Sequence, residues 1–420
     1  MSLIQRIAEH LVRNRLEQIT EGRLLVHHAG ETLEFGGGGA PFAEIRVHDP
    51  ELFSALAFGG HLGAAESYVH GEWTTDDLTA LVRLFLRNRE VLDGLETGAA
   101  RLVQPVRALA HGLNRNTRKG SRRNIQAHYD LGNEFFSLFL DETLTYSAGL
   151  FEGEDRTLYE ASVAKYDRIC RKLGLRPEHH VVEIGSGWGG FALHAAGRYG
   201  CRVTTTTVSR RQHELASERV HEAGLSDRVT VLLDDYRDLR GSFDRLVSIE
   251  MIEAVGHQYL ETFFERCAAL LRPDGIATIQ AITIQDRFYE SARREVDFIK
   301  RYIFPGSCIP SISVLARAAA PTDLRLVHLD DMAADYAETL RRWRERFMQQ
   351  WPAIEELGFD EAFKRLWDFY FCYCEGGFDE AVLGTVQMTF AKPDATAGAR
   401  SGQESIWAGQ PESDAQGVLS

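Results

Sequence analysis

Residues 181–190, VVEIGSGWGG, join an apolar run to a glycine-rich turn and decide how the chain is organised. Val181, Val182 and Ile184 suit a buried strand of a parallel sheet, because such strands are apolar on both faces. The glycines that follow allow a tight turn and a close approach of the backbone to a ligand. The next segment, FALHAAGRYG, is predicted to be a helix whose first N–H groups are free to bind that ligand. Dinucleotide sites and ordinary βα turns share this pattern, so the turn alone does not identify the ligand.

Strands and helices alternate along the chain after this turn. The pattern predicts strands at 179–184, 202–208, 228–233, 243–249 and 276–283, and helices at 190–199, 210–223 and 257–271. We therefore predict an α/β fold with a doubly wound, mostly parallel sheet and a ligand at the carboxyl ends of its strands. A charged and apolar insertion follows the fifth strand at 286–311, and we expect it to be largely helical. A strand, two helices and a last strand complete the domain.

The chain has 420 residues, which is long for a single domain. Residues 1–112 are predicted to form a smaller N-terminal α+β domain with a hairpin at Ala29-Gly30 and a helix broken at Gly59-Gly60. The first predicted helix carries an apolar stripe, which either packs on its domain or rests on a lipid surface. The stripe consists of Leu3, Ile4, Ile7, Leu11 and Val12.

Three further segments complete the predicted organisation. Residues 113–124, LNRNTRKGSRRN, are basic without a single acid, which predicts either a solvated linker or attraction to anionic headgroups. Residues 125–393 form the α/β domain, and its aromatic opening at 125–151 is predicted to be helical. Residues 394–420 are small, polar and glycine-rich, so we expect a disordered tail.

Composition narrows the class of protein. The net charge of −14 argues against a general nucleic-acid binder, which needs a basic face. Six scattered cysteines without a C-x-x-C pair predict reduced thiols in a cytoplasmic protein and no metal site. The start of the chain lacks the apolar core of a signal peptide, and no stretch approaches the roughly 18–20 apolar residues of a membrane span. A cytoplasmic protein that can still work at a membrane surface is expected.

The ligand of the glycine turn follows from the ends of the next strands. A dinucleotide site places an acid at the end of the second strand, but here that strand ends in TTTTVSRRQ. The third strand ends instead in Asp234-Asp235-Tyr236, and Glu183 precedes the turn itself. This pattern fits S-adenosylmethionine better than NAD, although it does not identify the acceptor.

Nine motifs follow one another along the chain: GHLGAAESYVHGEW, NIQAHYDLGNEFF, TYSAGLF, EIGSGWGG, TTTTVSRRQ, DDYRD, SIEMIEAVG, DFIKRYIFPG and DYAETLRRWRERF. With these motifs the chain resembles, from about Gly22 to Lys392, the cyclopropane-fatty-acyl-phospholipid synthases and related fatty-acid C-methyltransferases. The resemblance implies a class I methyltransferase-type sheet, S-adenosylmethionine as methyl donor, and unsaturated acyl chains of membrane phospholipids as acceptor. It also implies an N-terminal domain that helps lipid docking at the inner face of the membrane, and it leaves a homodimer open.

The resemblance also implies which residues bind the cofactor. They come from four segments. In chain order, these contact the methionine part of the cofactor, form the glycine turn with the acid behind it, contact the ribose, and lie near the adenine. These residues are Tyr146 and Ser147; Glu183, Gly185 and Gly187; Thr207, Ser209 and Gln212; Asp235 and Tyr236.

In the cyclopropane synthases a bound bicarbonate is thought to remove the proton that the reaction releases. The resemblance places three of its ligands at Glu253, Tyr336 and the backbone of Ile282. The cysteine and histidine ligands of that family fall at Ala148 and Gln280, and an alanine side chain cannot donate a hydrogen bond. The departure puts bicarbonate in question, and a buried Glu253 with a raised pKa would itself be a base.

Methyl transfer to an alkene leaves a carbocation, which the faces of aromatic rings can stabilise. The candidate rings are Tyr129, Phe136, Tyr302 and Tyr336. A cyclopropane and a methyl- or methylene-branched chain are both open as products. Two other classes of protein also remain open: a methyltransferase for a soluble small molecule, and a non-catalytic lipid-binding relative.

Overall fold

A computed structural model describes residues 2–91, 131–153 and 156–395. Residues 2–91 form the N-terminal unit, in which a four-stranded sheet is accompanied by helices. In chain order its elements are α1 (Leu3–Leu16), β1 (Gly22–His28), β2 (Glu31–Gly38), β3 (Phe42–Val47), α2 (Glu51–Val69), β4 (Trp73–Thr74) and α3 (Leu78–Arg87).

The N-terminal sheet has the order β2-β1-β3-β4. The predicted hairpin is confirmed, because β1 and β2 pair antiparallel across Ala29 and Gly30, whose φ angles of 51° and 84° are typical of a tight turn. The predicted break in the second helix is confirmed too, since Gly60 has a φ of 60° inside α2.

Helix α1 uses only part of its apolar surface for packing. A capping box of Ser2 and Gln5 begins the helix, and Ala8, Val12 and Leu16 are buried against the unit. Most of the predicted stripe lies on the other side and stays in solvent, with exposed fractions of 75%, 61%, 52% and 50% for Leu3, Ile4, Ile7 and Leu11. Packing therefore explains Val12 and leaves the other four residues uncovered.

The remaining residues build an α/β unit around a seven-stranded sheet. Its first half consists of α4 (Asn133–Phe139), α5 (Leu158–Lys172), β5 (His180–Ile184), α6 (Gly190–Tyr199), β6 (Arg202–Thr206), α7 (Arg210–Glu222), β7 (Val229–Leu232), β8 (Phe243–Ile249) and α8 (Leu260–Leu270). Its second half consists of β9 (Leu271–Ile284), α9 (Asp286–Arg294), a π-helical turn (Ile299–Ile303), α10 (Ile312–Ala319), β10 (Arg325–Asp331), α11 (Ala333–Gln349), α12 (Trp351–Glu356), α13 (Glu361–Asp379) and β11 (Leu383–Ala391).

The large sheet has the order β10-β11-β9-β8-β5-β6-β7. Strands β9, β8, β5, β6 and β7 are parallel neighbours, whereas β11 pairs antiparallel with both β9 and β10. Val181, Val182 and Ile184 of β5 are almost fully buried, because helices cover both faces of the sheet. The predicted α/β fold with a doubly wound, mostly parallel sheet is confirmed, and so is the helical insertion after the fifth strand.

One predicted helix is wrong. Only α4 is helical between residues 131 and 151, and the chain then runs without regular structure to α5. The Asp141 carboxylate accepts the Thr143 backbone N–H at 2.6 Å, and Leu144 has a φ of 55°, so local side-chain bonding replaces helical bonding here. Helix α5 was not predicted, although Thr157 and Glu160 form the T-x-x-E capping box that marks its start.

The two units share a core along α13. Tyr68 Oη donates to Asp368 at 2.7 Å, and Thr79 Oγ1 donates to Glu375 at 3.1 Å. Arg365 donates to the backbone oxygen of Tyr68 at 2.5 Å, and Trp367 belongs to the same hydrophobic cluster as the buried residues of α1, α2 and α3. Helix α13 therefore connects the N-terminal unit to the α/β unit.

Several sequence-based predictions fall on other parts of the chain. The basic segment 113–124, Tyr129 and residues 396–420 lie outside the described residues. Residues 394 and 395, predicted to begin the disordered tail, are helical. All six cysteines are free thiols. Within the described part of the chain, no helix is long and apolar enough to cross a bilayer.

Candidate active site

A cavity of about 430 Å³ lies at the carboxyl ends of β5, β6 and β8. Strands β6 and β8 flank β5 on opposite sides, so the cavity sits where the strand order reverses, the usual ligand position in such sheets. The N-terminal unit contributes His61, Leu86 and Arg89 to its wall. Both units therefore enclose the same space.

The glycine turn forms one wall of this cavity. Gly185 and Gly187 have φ angles of 97° and 49°, which favour glycine. A Cβ atom on Gly185 would lie 3.0 Å from Met251 Cγ, and one on Gly190 would lie 2.6 Å from the Tyr166 hydroxyl oxygen. The turn needs glycine for its backbone conformation and for the space around it, as the sequence predicts.

Glu183 ends β5 directly behind the turn and lines the cavity. Burial raises the pKa of its carboxyl group to about 8. Its Oε2 atom is buried and finds no hydrogen-bond partner among the described residues. A buried acid with one unpartnered oxygen beside a glycine turn fits a ligand that carries positive charge, as the sulfonium and amino groups of S-adenosylmethionine do.

The predicted ribose side is assembled from two of its three residues. The Thr207 hydroxyl donates to Gln212 Oε1 at 2.9 Å, and both side chains line the cavity. Ser209 does not line it. Its hydroxyl instead accepts the Gln212 backbone N–H at 3.3 Å and caps α7, so it positions Gln212.

The predicted adenine and methionine ends also reach the cavity. Asp235 and Tyr236 line it, with the Asp235 carboxylate held by two bonds from the Arg237 guanidinium at 2.8 and 2.6 Å. Tyr146 and Ser147 line it from the other side. Ser147 Oγ lies 2.5 Å from the ammonium group of a lysine that the sequence did not single out.

That lysine is Lys165 of α5, which is completely buried. Burial lowers the pKa of its ammonium group to about 8, while Glu250, Asp141 and Glu183 act in the opposite direction. A buried ammonium group is stable only beside carboxylates, so Lys165 indicates concentrated negative charge at this end of the cavity.

Two carboxyl groups supply much of that charge. Glu250 follows β8 and Glu253 lies in the next turn, and both line the cavity. The Ile282 backbone N–H donates to Glu253 Oε1 at 2.5 Å, whereas Glu253 Oε2 has no partner in the described part of the chain. Burial, reinforced by the neighbouring Glu250, raises the pKa of Glu253 to about 8. The sequence named Glu253 but not Glu250.

Comparison with known proteins assigns the chain to a family. The profile of the family described as Mycolic acid cyclopropane synthetase matches residues 116–388. The chain belongs to this family. The match covers the glycine turn, the cofactor-side residues and both carboxylates.

Known proteins are similar in sequence to this one over most of the chain. The tuberculostearic acid methyltransferase UfaA1 of Mycobacterium tuberculosis is 36% identical over 398 residues, covering 92% of each chain. The cyclopropane-fatty-acyl-phospholipid synthase of Escherichia coli K12 is 36% identical over 358 residues, covering 84% of this chain and 89% of its own. The crystal structure of mycolic acid cyclopropane synthase CmaA1 with SAH and CTAB is 31% identical, with a TM-score of 0.61 over 64% of this chain and 98% of that one.

The predicted family, cofactor and enzyme class are thereby confirmed. The protein is an S-adenosylmethionine-dependent methyltransferase, similar to cyclopropane synthases, from a family that modifies lipid acyl chains. The glycine turn, the buried Glu183 and the Thr207–Gln212 pair are the residues that would hold the cofactor.

Three of the five positions that the resemblance assigns to bicarbonate ligands surround a different anion, whereas the other two, Glu253 and the Ile282 backbone N–H, bond to each other. Glu250 Oε1 accepts the Ala148 backbone N–H at 3.0 Å and Gln280 Nε2 at 2.8 Å, and Glu250 Oε2 accepts the Tyr336 hydroxyl at 2.7 Å. Gln280 is fully buried behind Glu250 and also accepts an amide N–H from Gln387 at 3.0 Å. Because a protein carboxylate already uses these donors, bicarbonate does not fit at this position.

The candidate aromatic rings divide between the cavity and other places. Tyr336 lines the cavity, where its ring stacks on Phe378 with centroids 4.6 Å apart. Phe136 does not line it; it is fully buried and packs on Tyr146 and Trp188. Tyr302 lies at the surface. Its hydroxyl donates to Glu66 of the N-terminal unit at 2.6 Å, so it joins the two units instead of facing the reaction.

Other rings take the place of those two candidates. Tyr146, Phe304 and Tyr370 line the cavity, and the Tyr146 and Tyr370 hydroxyl oxygens lie 3.0 Å apart. No sequence pattern distinguished Phe304 and Tyr370 from core aromatics, because it is the fold that brings these two segments, far apart in the chain, to one cavity.

Proposed function

We propose that this protein transfers a one-carbon unit from S-adenosylmethionine to the double bond of unsaturated acyl chains in membrane phospholipids. The product is a cyclopropane or a methyl- or methylene-branched acyl chain. One observation carries the proposal: one cavity is lined by the glycine turn, by several aromatic rings and by two neighbouring carboxyl groups, of which Glu253 is buried and Glu250 is partly buried. These are the parts that methylation of an alkene requires.

The chemistry explains why each part is needed. S-adenosylmethionine, when bound, supplies an electrophilic methyl group. An alkene is a poor nucleophile, so the cavity has to hold the double bond in line with that methyl group and exclude water. Methyl transfer leaves a carbocation on the acyl chain, which an aromatic ring can stabilise, and the rings of Tyr146, Phe304 and Tyr336 all line the cavity. A buried carboxylate then removes the proton.

The product depends on which proton leaves. Loss from the transferred methyl group closes a cyclopropane ring. A hydride shift before that loss gives an exocyclic methylene group, and loss from the acyl chain gives a methylated alkene. The names of the two relatives at 36% identity refer to a tuberculostearic acid methyltransferase and a cyclopropane synthase, so similarity supports both outcomes for this chain.

A membrane substrate accounts for the uncovered face of α1. Leu3, Ile4, Ile7 and Leu11 are all at least half exposed on one side of this helix. An amphipathic helix of this kind binds in the plane of a membrane by burying its apolar side among the lipid tails. We infer that the N-terminal unit docks the protein peripherally at the inner face of the membrane and brings its cavity close to the acyl chains.

Lipid analysis tests the proposal. The protein is expressed in a host without such enzymes, which is fed methyl-deuterated methionine, and the phospholipid acyl chains are analysed by mass spectrometry. New acyl chains longer by one carbon and carrying deuterium are expected. Product that retains two deuteriums contains either a ring or a methylene group, and mild hydrogenation distinguishes the two. Product that retains three deuteriums contains neither. Unlabelled, unchanged acyl chains from a host that contains folded protein would contradict the proposal.

One alternative predicts a different result. A methyltransferase for a soluble small molecule would turn over without vesicles and would not bind anionic liposomes. The other class that the sequence left open, a non-catalytic lipid-binding relative, is set aside because the chain belongs to a family of methyltransferases. The glycine turn and the buried Glu183 favour cofactor binding, and the exposed side of α1 favours a membrane substrate.

A further inference from the structure

Glu250 occupies an unusual backbone position. It directly follows β8, and its φ angle of 48° lies in the left-handed region that favours glycine. A side chain larger than hydrogen is strained there, so the surrounding structure has to hold it in place. Such positions often mark residues whose side chains act in function. Glu250 also lines the cavity, beside Met251, which packs on the glycine turn.

The carboxylate of Glu250 is held by three donors from three different segments. The Ala148 N–H comes from the loop before α5, the Gln280 amide from β9, and the Tyr336 hydroxyl from α11. The family resemblance assigns these three positions to bicarbonate ligands. Each of them instead binds one side-chain carboxylate, which has the same planar O–C–O geometry as bicarbonate.

We propose that Glu250 is the catalytic base of this enzyme and replaces a bound bicarbonate with a carboxylate of the chain itself. This inference rests on the proposed function. It changes the reaction from one that depends on a dissolved anion to one that needs only the protein and its two substrates.

The hydrogen bonds leave one site on Glu250 open for a proton. An ionised carboxylate has about four lone-pair positions, two on each oxygen. Oε1 uses two of them for Ala148 and Gln280, whereas Oε2 uses one for Tyr336. The open position is therefore on Oε2, the oxygen that Tyr336 also contacts. Glu250 lines the cavity, and our proposal puts the transferred methyl group beside this oxygen.

The surrounding charges make Glu250 the ionised member of the pair. Like charges disfavour each other in a buried site, so one of two adjacent carboxyl groups carries the proton. The pKa of about 8 at Glu253 leaves that group mostly protonated at neutral pH. Burial raises the pKa of Glu250 as well, but the charge of Lys165 and the three hydrogen bonds that Glu250 accepts oppose this effect. A carboxylate that is ionised yet desolvated is a stronger base than one in water.

The proton-transfer step is balanced without an oxidant or a further reactant. After methyl transfer, the C–H bond of the new methyl group breaks and its proton goes to Glu250 Oε2. The electron pair of that bond forms the new carbon–carbon bond of a ring or, after a hydride shift, of a methylene group. The protonated Glu250 then returns its proton to solvent when the product leaves.

Two substitutions and the unmodified enzyme test this role. Glu250→Gln keeps the shape of the side chain and removes the base, so we expect turnover with unsaturated phospholipid vesicles to fall at least about 100-fold. We expect its S-adenosylmethionine affinity to stay within a few-fold by calorimetry. Any residual product formed with methyl-deuterated S-adenosylmethionine should retain three deuteriums, because the proton then leaves from the chain. A merely structural role would not change this deuterium count.

Glu250→Gly removes the carboxylate at a position whose backbone favours glycine, and it leaves the Ala148, Gln280 and Tyr336 donors facing a hole of anion size. Added bicarbonate or formate should restore turnover at least about tenfold in this variant, whereas chloride should not.

Wild-type enzyme should keep its rate in buffer depleted of carbon dioxide. Loss of wild-type activity in that buffer, or full activity of Glu250→Gln, would overturn the assignment. Inactive wild-type enzyme would instead refute the proposed function.

Discussion

The Tyr336 hydroxyl donates a 2.7 Å hydrogen bond to Oε2 of Glu250. A side chain of α11 thus holds the carboxylate that follows β8, although 86 residues separate them in the chain. The bond favours the ionised form of Glu250, because a carboxylate only accepts hydrogen bonds. Tyr336 is therefore placed to set the pH at which Glu250 becomes an active base.

Removing this bond should move the acid limb of the pH–rate profile. Tyr336→Phe takes away a donor to the ionised carboxylate, so the pKa of Glu250 rises and more alkaline pH is needed to ionise it. A hydrogen bond to a charged group is worth about 1.5–3 kcal/mol, and about 1.4 kcal/mol corresponds to one pH unit. We expect the pH at the midpoint of the acid limb of the kcat profile to rise by roughly one to two pH units.

The matched control is Tyr370→Phe. Tyr370 also lines the cavity, but its hydroxyl contacts Tyr146 and not Glu250. The midpoint should stay within about half a pH unit of wild type in this variant, whatever happens to the rate itself. An equal shift in both variants would mean that Tyr336 does not act through Glu250.

The two neighbouring carboxyl groups should respond differently to amide substitution. Glu253 has a pKa of about 8 and is mostly neutral at pH 7, and glutamine resembles a neutral glutamic acid. We therefore expect Glu253→Gln to lose much less turnover at pH 7 than Glu250→Gln. Turnover of both variants with phospholipid vesicles, measured at the same pH, tests this expectation. The reverse order would assign the base to Glu253, as the sequence alone suggested.

Cofactor binding should release a proton from Glu183. Its pKa of about 8 means that the free enzyme holds this proton at pH 7, and a sulfonium charge nearby favours the ionised form. S-adenosylmethionine should therefore bind more tightly as pH rises from about 6 to about 8. Calorimetry at pH 7 in buffers with different ionisation enthalpies counts the released protons.

The same titration of Glu183→Gln is the control, and it should show less proton release and a flatter pH dependence. If wild-type enzyme gave one binding enthalpy in every buffer, the cofactor would not act on Glu183.

The exposed side of α1 should decide membrane binding. Ile7→Glu places a charge in the middle of the apolar side, and we expect affinity for phospholipid vesicles to fall at least about fivefold in sedimentation assays. Gln5→Glu adds the same residue on the side of the helix opposite Ile7, where a glutamate can still form the capping box with Ser2, and it serves as control. Cofactor affinity should be unchanged in both. Equal vesicle binding by the two variants would show that this side of α1 does not dock.

The sequence predicted the parts of the fold that repeat a local pattern. Apolar strands such as 181–184 and the glycine turn after them carry their own signal, since burial on both faces and positive φ angles restrict the residue types that fit. The stretch 140–151 was misread as helix, because an aromatic-rich run resembles an amphipathic helix when Asp141 and its hydrogen bonds to the backbone are not considered.

The candidate site was predicted only where one segment carries the signal. Glu183, Gly185 and Gln212 belong to short motifs, and the structure places all three at the cavity. Lys165 and Glu250 are significant only through contacts with distant segments, such as the Lys165–Ser147 bond. A position just after a parallel strand is a usual ligand site, so the place of Glu250 after β8 was the one signal available.

The most direct measurement uses purified enzyme, methyl-deuterated S-adenosylmethionine and vesicles of unsaturated phospholipid in bicarbonate-free buffer. Mass spectrometry of the acyl chains then shows whether a carbon was added and how many deuteriums remain. The account predicts one added carbon with two deuteriums, because Glu250 removes a proton from the transferred methyl group. Acyl chains without an added carbon, product that retains three deuteriums, or product only after bicarbonate is supplied would contradict it.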